Sequence, residues 1–269
     1  MKNRIKKPRY FVQALAKGLS VLQAFAEADH PLTSSEIANA LGTSNSTSTR
    51  LCYTLTELGF IERDRQRRYK LTPKVLSLGY SFISGAAWRE LAKNYLESLF
   101  KEVQATVNLS MLEGSEIIYI IRIRKRKYLP YDIRIGTKLP VYCTAMGKVL
   151  MAMGRPEMVQ TILKTLEFKA LTTRTITRLD KFLEQLDEVR KKGYAIADEE
   201  LSIGVRGIGA PILDKHGYAV AAINITVPTT EYSRSQMEKT LASKVMQVAN
   251  QISDALLKMG APLVTGDLS

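Results

Sequence analysis

The sequence predicts an α+β chain in two parts, a small basic helical unit closed by a short hairpin and a larger domain built on an antiparallel sheet. Three observations carry this. Apolar residues repeat at helical spacing through the first hundred positions and then switch to period two at Val107, Leu109 and Met111. Basic charge is concentrated at the front: residues 1–89 hold 14 Lys and Arg against 6 Asp and Glu, a balance of +8, and residues 90–269 hold 25 against 20, or +5. The length, 269 residues, exceeds one average domain.

Taken in order, residues 1–9 form an arm with five basic groups, either a solubilising tail or a strap along a polyanion. A helix over 12–27 places Leu15, Leu19, Leu22 and Phe25 on one face. Thr33-Ser34-Ser35-Glu36 is a capping box that opens a second helix, and Gly42 ends it. Ser44 then caps a third helix over 45–58, whose buried face is read as Leu51, Leu55 and Leu58. Its other face carries Asn45, Ser46, Thr49, Arg50 and Tyr53, short donors and acceptors near a helix start. Gly59 stops it, and strands over 60–63 and 68–71 flank the charged tip Asp64-Arg65-Gln66-Arg67. Helix pair, polar-faced second helix and basic hairpin together describe a winged helix-turn-helix, which sets one helix in the major groove of double-stranded DNA. Ser44, Asn45, Ser46, Thr49, Arg50 and Tyr53 are the candidate contacts from the helix. Arg65, Arg67 and Arg68 are those from the wing, where arginines lie on phosphates.

Thr72-Pro73 opens a helix over 73–85 with Val75, Leu76, Leu78, Phe82 and Ile83, a face too apolar for a solvated connector. It is read as linker and contact with a second copy. The expected division is therefore 1–72 for DNA binding, 73–87 for the linker helix and 88–269 for the second domain. That domain starts with a helix over 88–103. Strands are expected over 107–111, 117–123, 129–135, 194–197, 205–213 and 218–227, the last two joined by Asp214-Lys215-His216-Gly217. Helices are expected over 145–153, 157–163, 179–192 and 235–259, which makes the domain α+β.

Several residues of this domain suggest a small-molecule pocket. Thr144 caps the helix at 145–153, leaving the amides of Ala145 and Met146 available to an anion. Gly204, Gly207 and Gly209 permit close approach to a strand. Asn224 and Thr226 share one face of the last strand and need polar partners there. Arg122 heads a basic run, Arg122 to Lys127, that is either a solvated loop or, through Arg122, turned inward toward an anion. Asp198-Glu199-Glu200 lacks a histidine, a nucleophile signature or metal spacing beside it and is read as structural or as a salt-bridge partner. Two cysteines make no disulfide framework and two distant histidines make no zinc site, so neither a metal nor a cofactor is expected. With no apolar run of about 18 residues, a cytoplasmic location without membrane contact is expected.

The order of winged helix, apolar linker helix, RIGTKLPVYCTAMGKVLMA and GYAIADEELSIGVRGIGAPI resembles the IclR family of bacterial transcriptional regulators over about residues 10–255. Within it, LPVYCTAMGKVLMA is most similar to members controlling aromatic-acid and β-ketoadipate catabolism. The resemblance implies a GAF-like effector domain, a dimer and often a dimer of dimers. It also implies effector contacts at Ala145, Met146, the Ala197-Asp198 step, Gly207, Asn224 and Thr226. Where Gly207 stands many relatives carry cysteine, and where Ala197 stands some carry an acidic residue, so a roomier, less acidic pocket is expected. Ser48, in place of a β-branched core residue, is expected to loosen the recognition helix. The expected function is a regulator whose binding to a palindromic operator is controlled by a hydroxybenzoate-like or oxo-dicarboxylic acid. The alternatives are a constitutive DNA binder without effector and an enzyme acting on the bound ligand.

Overall fold

The computed structural model describes residues 9–28, 30–84, 87–125 and 133–259, with side chains at all of these except 26, 27 and 80–84. The basic arm up to residue 8, most of the strand expected over 129–135, the end of the basic run at Arg126 and Lys127, and the Phe82 side chain lie outside the described residues. The chain forms two compact units that divide between residues 86 and 87.

The first unit contains α1 (Gln13–Glu27), α2 (Ser34–Leu41), α3 (Asn45–Glu57), the strands β1 (Ile61–Arg63) and β2 (Tyr69–Leu71), and α4 (Lys74–Ser84). The capping box forms as expected: Glu36 N donates to Thr33 Oγ1 at 3.3 Å and Thr33 N to Glu36 Oε2 at 2.7 Å. Gly42 follows α2 with φ +60°, a left-handed conformation that a side chain would strain. Leu32 and Tyr69 exchange backbone hydrogen bonds of 2.9 and 2.7 Å, which ties the α1–α2 connection to the hairpin.

Two apolar faces differ from expectation. In α1 the core is reached by Val21, with Leu22, Ala24 and Phe25 beside it, whereas Leu15 and Leu19 are exposed. Only the second half of α1 carries residues of the shared core. In α3 the buried positions are Ser48, Cys52 and Leu55, with Leu51 alongside, and Leu58 is the exposed C-cap. The true i, i+4, i+7 row thus starts on a serine that hydropathy does not flag. Ser48 does not leave a loose contact, because its hydroxyl donates to Ser34 O at 2.8 Å.

The second unit starts with α5 (Ala87–Val103) and contains a six-stranded antiparallel sheet. Its strands are β3 (Thr106–Glu113), β4 (Glu116–Ile123), β5 (Lys138–Pro140), β6 (Ala195–Asp198), β7 (Val205–Leu213) and β8 (Ala219–Pro228), in the spatial order β5-β4-β3-β8-β7-β6. α6 (Ala145–Met153) lies on one face with α8 (Leu179–Lys192) packed outside it, and α5 and α10 (Ala242–Met259) pack together against the other. Covered on both faces, β3 is buried along most of its length rather than alternating. α7 (Pro156–Thr165) follows α6. The single helix expected over 235–259 is two, α9 (Arg234–Thr240) and α10, broken at Leu241. Met237 and Leu241 are both buried, so the chain is anchored on each side of the break.

Two short elements escaped the sequence reading, β5 and the 3₁₀ turn Val141–Cys143 that delivers the chain into α6. That junction is tight. A Cβ on Gly147 would stand 2.3 Å from Val141 O and 2.4 Å from Val141 Cα, and one on Gly209 would stand 3.2 Å from Ala145 C. Gly209 therefore lets the start of α6 lie directly on β7, and Gly147 lets the helix start close against the turn before it.

Candidate functional site

Both sets of predicted site residues can be located. On the first unit, Ser44, Asn45, Ser46, Thr49, Arg50 and Tyr53 are all exposed on α3 and its cap. Ser44 caps the helix by accepting from Thr47 N at 3.2 Å. Thr49 Oγ1 lies 2.9 Å from Ser34 Oγ, so one of its bonds braces α3 against α2. In the hairpin, Asp64 Oδ1 accepts from Gln66 N and Arg68 N at 2.9 and 2.8 Å. Those amides, Arg68 first, hold its carboxyl below the ordinary range. Arg67 sits at φ +64° at the tip. Arg65 and Arg67 project into solvent, whereas Arg68 is half-buried, bonding Asp64 through Nε at 3.3 Å and Gln66 through its guanidinium. Arg68 thus shapes the wing as well as charging it.

On the second unit, the start of α6 and the open end of the sheet line a small pocket that opens to solvent. Thr144 Oγ1 accepts from Gly147 N at 3.1 Å, leaving the first amides of α6 with no helical carbonyl to bond. The floor is one register row after another. Thr226 lies opposite Gly207, which lies opposite Ala197, and Asn108 lies between Arg122 and Asn224. Of the predicted residues, Arg122, Thr144, Ala145, Gly207, Asn224 and Thr226 line the pocket. A Cβ on Gly207 would make only ordinary contacts, at 3.5 Å from Asn224 and 3.8 Å from Ala145, so this glycine leaves room.

Two predicted residues belong elsewhere. Met146 turns into the core, where its sulfur accepts from Ser110 Oγ at 3.2 Å. Asp198 points away from the pocket because Arg206 Nε bonds it at 2.5 Å and Arg174 reaches it at 3.5 Å. Ile208, considered as an apolar wall, alternates to the opposite face from Gly207 and Gly209 and is fully buried there.

Sequence reasoning missed Asn108, which joins the polar residues into one chain. Arg122 donates to Asn108 Oδ1 at 3.1 Å, Asn108 Nδ2 to Asn224 Oδ1 at 2.7 Å, and Asn224 Nδ2 to Thr226 Oγ1 at 3.2 Å. An asparagine at the third position of a β-branched strand was the available signal. An adjoining open cleft shares Arg122 and Ile133 and adds Arg124 and Arg134, so the mouth is strongly basic.

Sequence reasoning also missed Lys148 and the part played by Glu200. Lys148, 1% exposed, donates to Glu200 Oε1 at 2.5 Å and to Ile196 O at 3.2 Å. Burial pulls Lys148 below its ordinary pKa and pushes Glu200 above its own, and the attraction between them opposes both shifts. Cys143, which also lines the pocket, is pushed by burial up to about 12 and is an inert thiol. No group of three or more His, Cys, Asp or Glu able to hold a metal occurs among the described residues. No helix there is long and apolar enough to cross a membrane.

The model of the IclR helix-turn-helix domain matches residues 14–65, and that of the bacterial transcriptional regulator IclR C-terminal domain matches residues 81–254. The chain is 33% identical over 230 residues to the Pca regulon regulatory protein of Pseudomonas putida, spanning 85% of this chain and 79% of that one. The crystal structure of Thermotoga maritima IclR is 30% identical, with a TM-score of 0.67 over 90% of this chain and 98% of the other. A crystal structure of an IclR homologue from Microbacterium hydrocarbonoxydans complexed with 4-hydroxybenzoate shares the fold. Its TM-score is 0.73 at 21% identity, over 90% of this chain and 99% of that one.

The buried pair generates a pH-dependent prediction. Lys148→Met leaves the Glu200 carboxylate buried without its cation, at a cost of about 3–5 kcal/mol. Glu200 already titrates above its ordinary value, and losing Lys148 raises it further. Between the unfolded and folded pKa values the folded variant therefore binds the extra proton. Its stability rises as pH falls, and the penalty is complete only above the folded pKa. Urea midpoints at pH 5.5 and pH 8 should show the gap from the parent protein narrowing at the lower pH. A gap independent of pH contradicts this.

Proposed function

The chain belongs to the IclR family of bacterial transcriptional regulators, and from that premise we propose that it binds a palindromic operator as a homodimer under the control of a small organic acid held in the second unit. The single observation that carries the effector reading is the pocket at the start of α6. It combines a basic mouth, a helix N-terminus, the Arg122–Asn108–Asn224–Thr226 chain and apolar neighbours such as Tyr119, Ile133 and Leu201. Anions are favoured at a helix start and beside a guanidinium. A sugar offers no charge to either, and a cation meets the wrong end of the helix dipole. An aromatic or dicarboxylic acid meets these demands of charge. That the Microbacterium homologue holds 4-hydroxybenzoate supports the aromatic choice. The Pseudomonas relative is named for the Pca regulon, and this agrees.

For DNA, the reading assigns Asn45, Ser46 and Thr49 to base edges, and Ser44, Arg50, Tyr53, Arg65, Arg67 and Arg68 to flanking and backbone contacts. In gel-shift titrations, Asn45→Ala should cost roughly 1–3 kcal/mol on the operator and little on random DNA. Removing Arg65 and Arg67 should weaken both DNAs and lower the salt slope by about two. Equal losses on both DNAs for Asn45→Ala would remove it from base reading.

For assembly, Leu76 and Leu78 on α4 are 76% and 57% exposed in the single chain, and Leu15 and Leu19 on α1 are exposed as well. Large apolar side chains collected in one unit call for cover, and a second copy supplies it. Light scattering should find Leu78→Glu monomeric and unable to hold the operator. A variant that stays dimeric moves the interface elsewhere.

For the effector, 4-hydroxybenzoate should bind the unmodified protein and change its operator affinity in a mobility shift. Thr226→Val should weaken the acid about two- to tenfold by calorimetry, the worth of one hydrogen bond. The affinity of the acid-free protein for DNA should not change. Undiminished acid binding in that variant would put the acid in another place.

A further inference from the structure

We propose that Glu200 sets the specificity of this pocket by accepting a hydrogen bond from a hydroxyl of the ligand, so that the effector is a hydroxy acid rather than a dicarboxylic or an unsubstituted acid. The proposal rests on the reading of the pocket as an acid site. Glu200 lines that pocket, and its side chain is only 7% exposed. Its Oε1 is taken, by Lys148 Nζ at 2.5 Å and Asp198 N at 3.4 Å. Its Oε2 is buried and has no hydrogen-bond partner among the described residues. A carboxylate oxygen out of water with no donor is costly, more so than a neutral group.

The turn that carries Glu200 is heavily braced. Glu199 is held at φ +59°, a conformation L-residues rarely adopt. Gly204 N donates to Glu199 Oε2 at 2.9 Å, Thr172 Oγ1 to Glu199 O at 2.7 Å, and Thr175 Oγ1 to Glu200 O at 2.6 Å. Every one of these bonds fixes the direction in which Glu200 leaves the chain. Strain of this kind persists only where the surroundings over-determine it, and such places cluster at binding sites.

The pocket is therefore polar in one direction. At one end stand donors: the Arg122 guanidinium from β4 and the first amides of α6. At the other, beyond β6, stands Glu200 Oε2, an oxygen free to accept because Lys148 and the Asp198 amide bond the other oxygen of that carboxyl. Ala197 and Gly207 between them contribute no side-chain polarity. Arg122 meets Asn108 on β3, three strand spacings from β6 or roughly 14 Å between backbones, and the α6 amides over β7 stand nearer to it. A hydroxy acid lies along that line with its carboxylate toward the guanidinium and the amides and its hydroxyl toward Glu200. A second carboxylate would bring like charge against Glu200 in a desolvated site, and a bare ring would leave Oε2 without a donor.

Calorimetry on the unmodified protein tests this directly with benzoate, 3-hydroxybenzoate, 4-hydroxybenzoate and terephthalate at neutral pH. At least one hydroxybenzoate should bind about tenfold or more tightly than benzoate, with terephthalate weakest. In Glu200→Gln, which abolishes the like charge, terephthalate should gain on the hydroxybenzoate. If that variant does not fold, the Lys148→Met/Glu200→Leu pair removes both charges together, and the advantage of the hydroxyl over benzoate should vanish in it. Benzoate and both hydroxybenzoates binding within twofold of one another, or terephthalate binding tightest, overturns the role of Glu200 and leaves the acid site standing. No heat from any of the four acids overturns both.

Discussion

The second unit depends on one close approach, the first turn of α6 pressed against the sheet without a side chain between them. Gly209 makes this possible, since a Cβ there would stand 3.2 Å from Ala145 C and 3.3 Å from Met146 N, and Gly147 lets α6 fold back on the turn before it, where a Cβ would stand 2.3 Å from Val141 O. Everything polar at the site follows from that contact. It brings the α6 amides over β7 and β8, places Ala145 against Gly207, and lets Lys148 reach past the sheet edge to Glu200. A larger residue at Gly209 would lift the helix and open the site to water, weakening each electrostatic contact inside it.

The two units fix their working surfaces with the same device, buried polar groups that are satisfied almost completely. In the first, Ser48 and Ser34 lock α3 to α2 through hydroxyls, which holds the recognition helix at one rotation. In the second, Asn108 uses both its oxygen and its amide, presenting Arg122 on one side and Asn224 on the other. Such chains stabilise little beyond an apolar substitute, but they permit one arrangement where a greasy contact permits several. A surface that must match DNA or a small-molecule ligand needs that restriction.

How much of this was legible follows from how local each signal is. The capping box at Thr33, the glycine after α2 and the turn Asp214-Lys215-His216-Gly217 act within four residues, and each sits where the sequence places it. Gly207, Asn224 and Thr226 were legible as one face because strand alternation is also local. The exposed Leu15, Leu19 and Leu58 were not, since hydropathy names a face but not the neighbour that covers it. Leu241 interrupts a helical pattern that propensity alone would continue. Met146 and Asp198 flank true lining positions, and only the direction of the side chain excludes them. Lys148 meets Glu200 across 52 residues and Asn108 meets Asn224 across 116, separations that no periodicity in one strand or helix reports.

Magnitudes show why the polar ends of the pocket matter more than its walls. A helix N-terminus contributes at most about 2 kcal/mol to a partly buried anion. A ring hiding on the order of 100 Å² adds about 2.5 kcal/mol. Together these reach only roughly millimolar affinity, which corresponds to about 4 kcal/mol, whereas micromolar binding needs about 8. The missing 3–4 kcal/mol must come from hydrogen bonds to charged groups, each worth about 1.5–3 kcal/mol. Such bonds are effective only if their partners are already in place, because ordering a long side chain on binding costs about 0.5–1.5 kcal/mol. Asn108 holds Arg122 at 3.1 Å and the braced turn holds Glu200. The ordering cost at both ends is thereby met in folding, and a small acid bound as proposed has enough left to act as a signal.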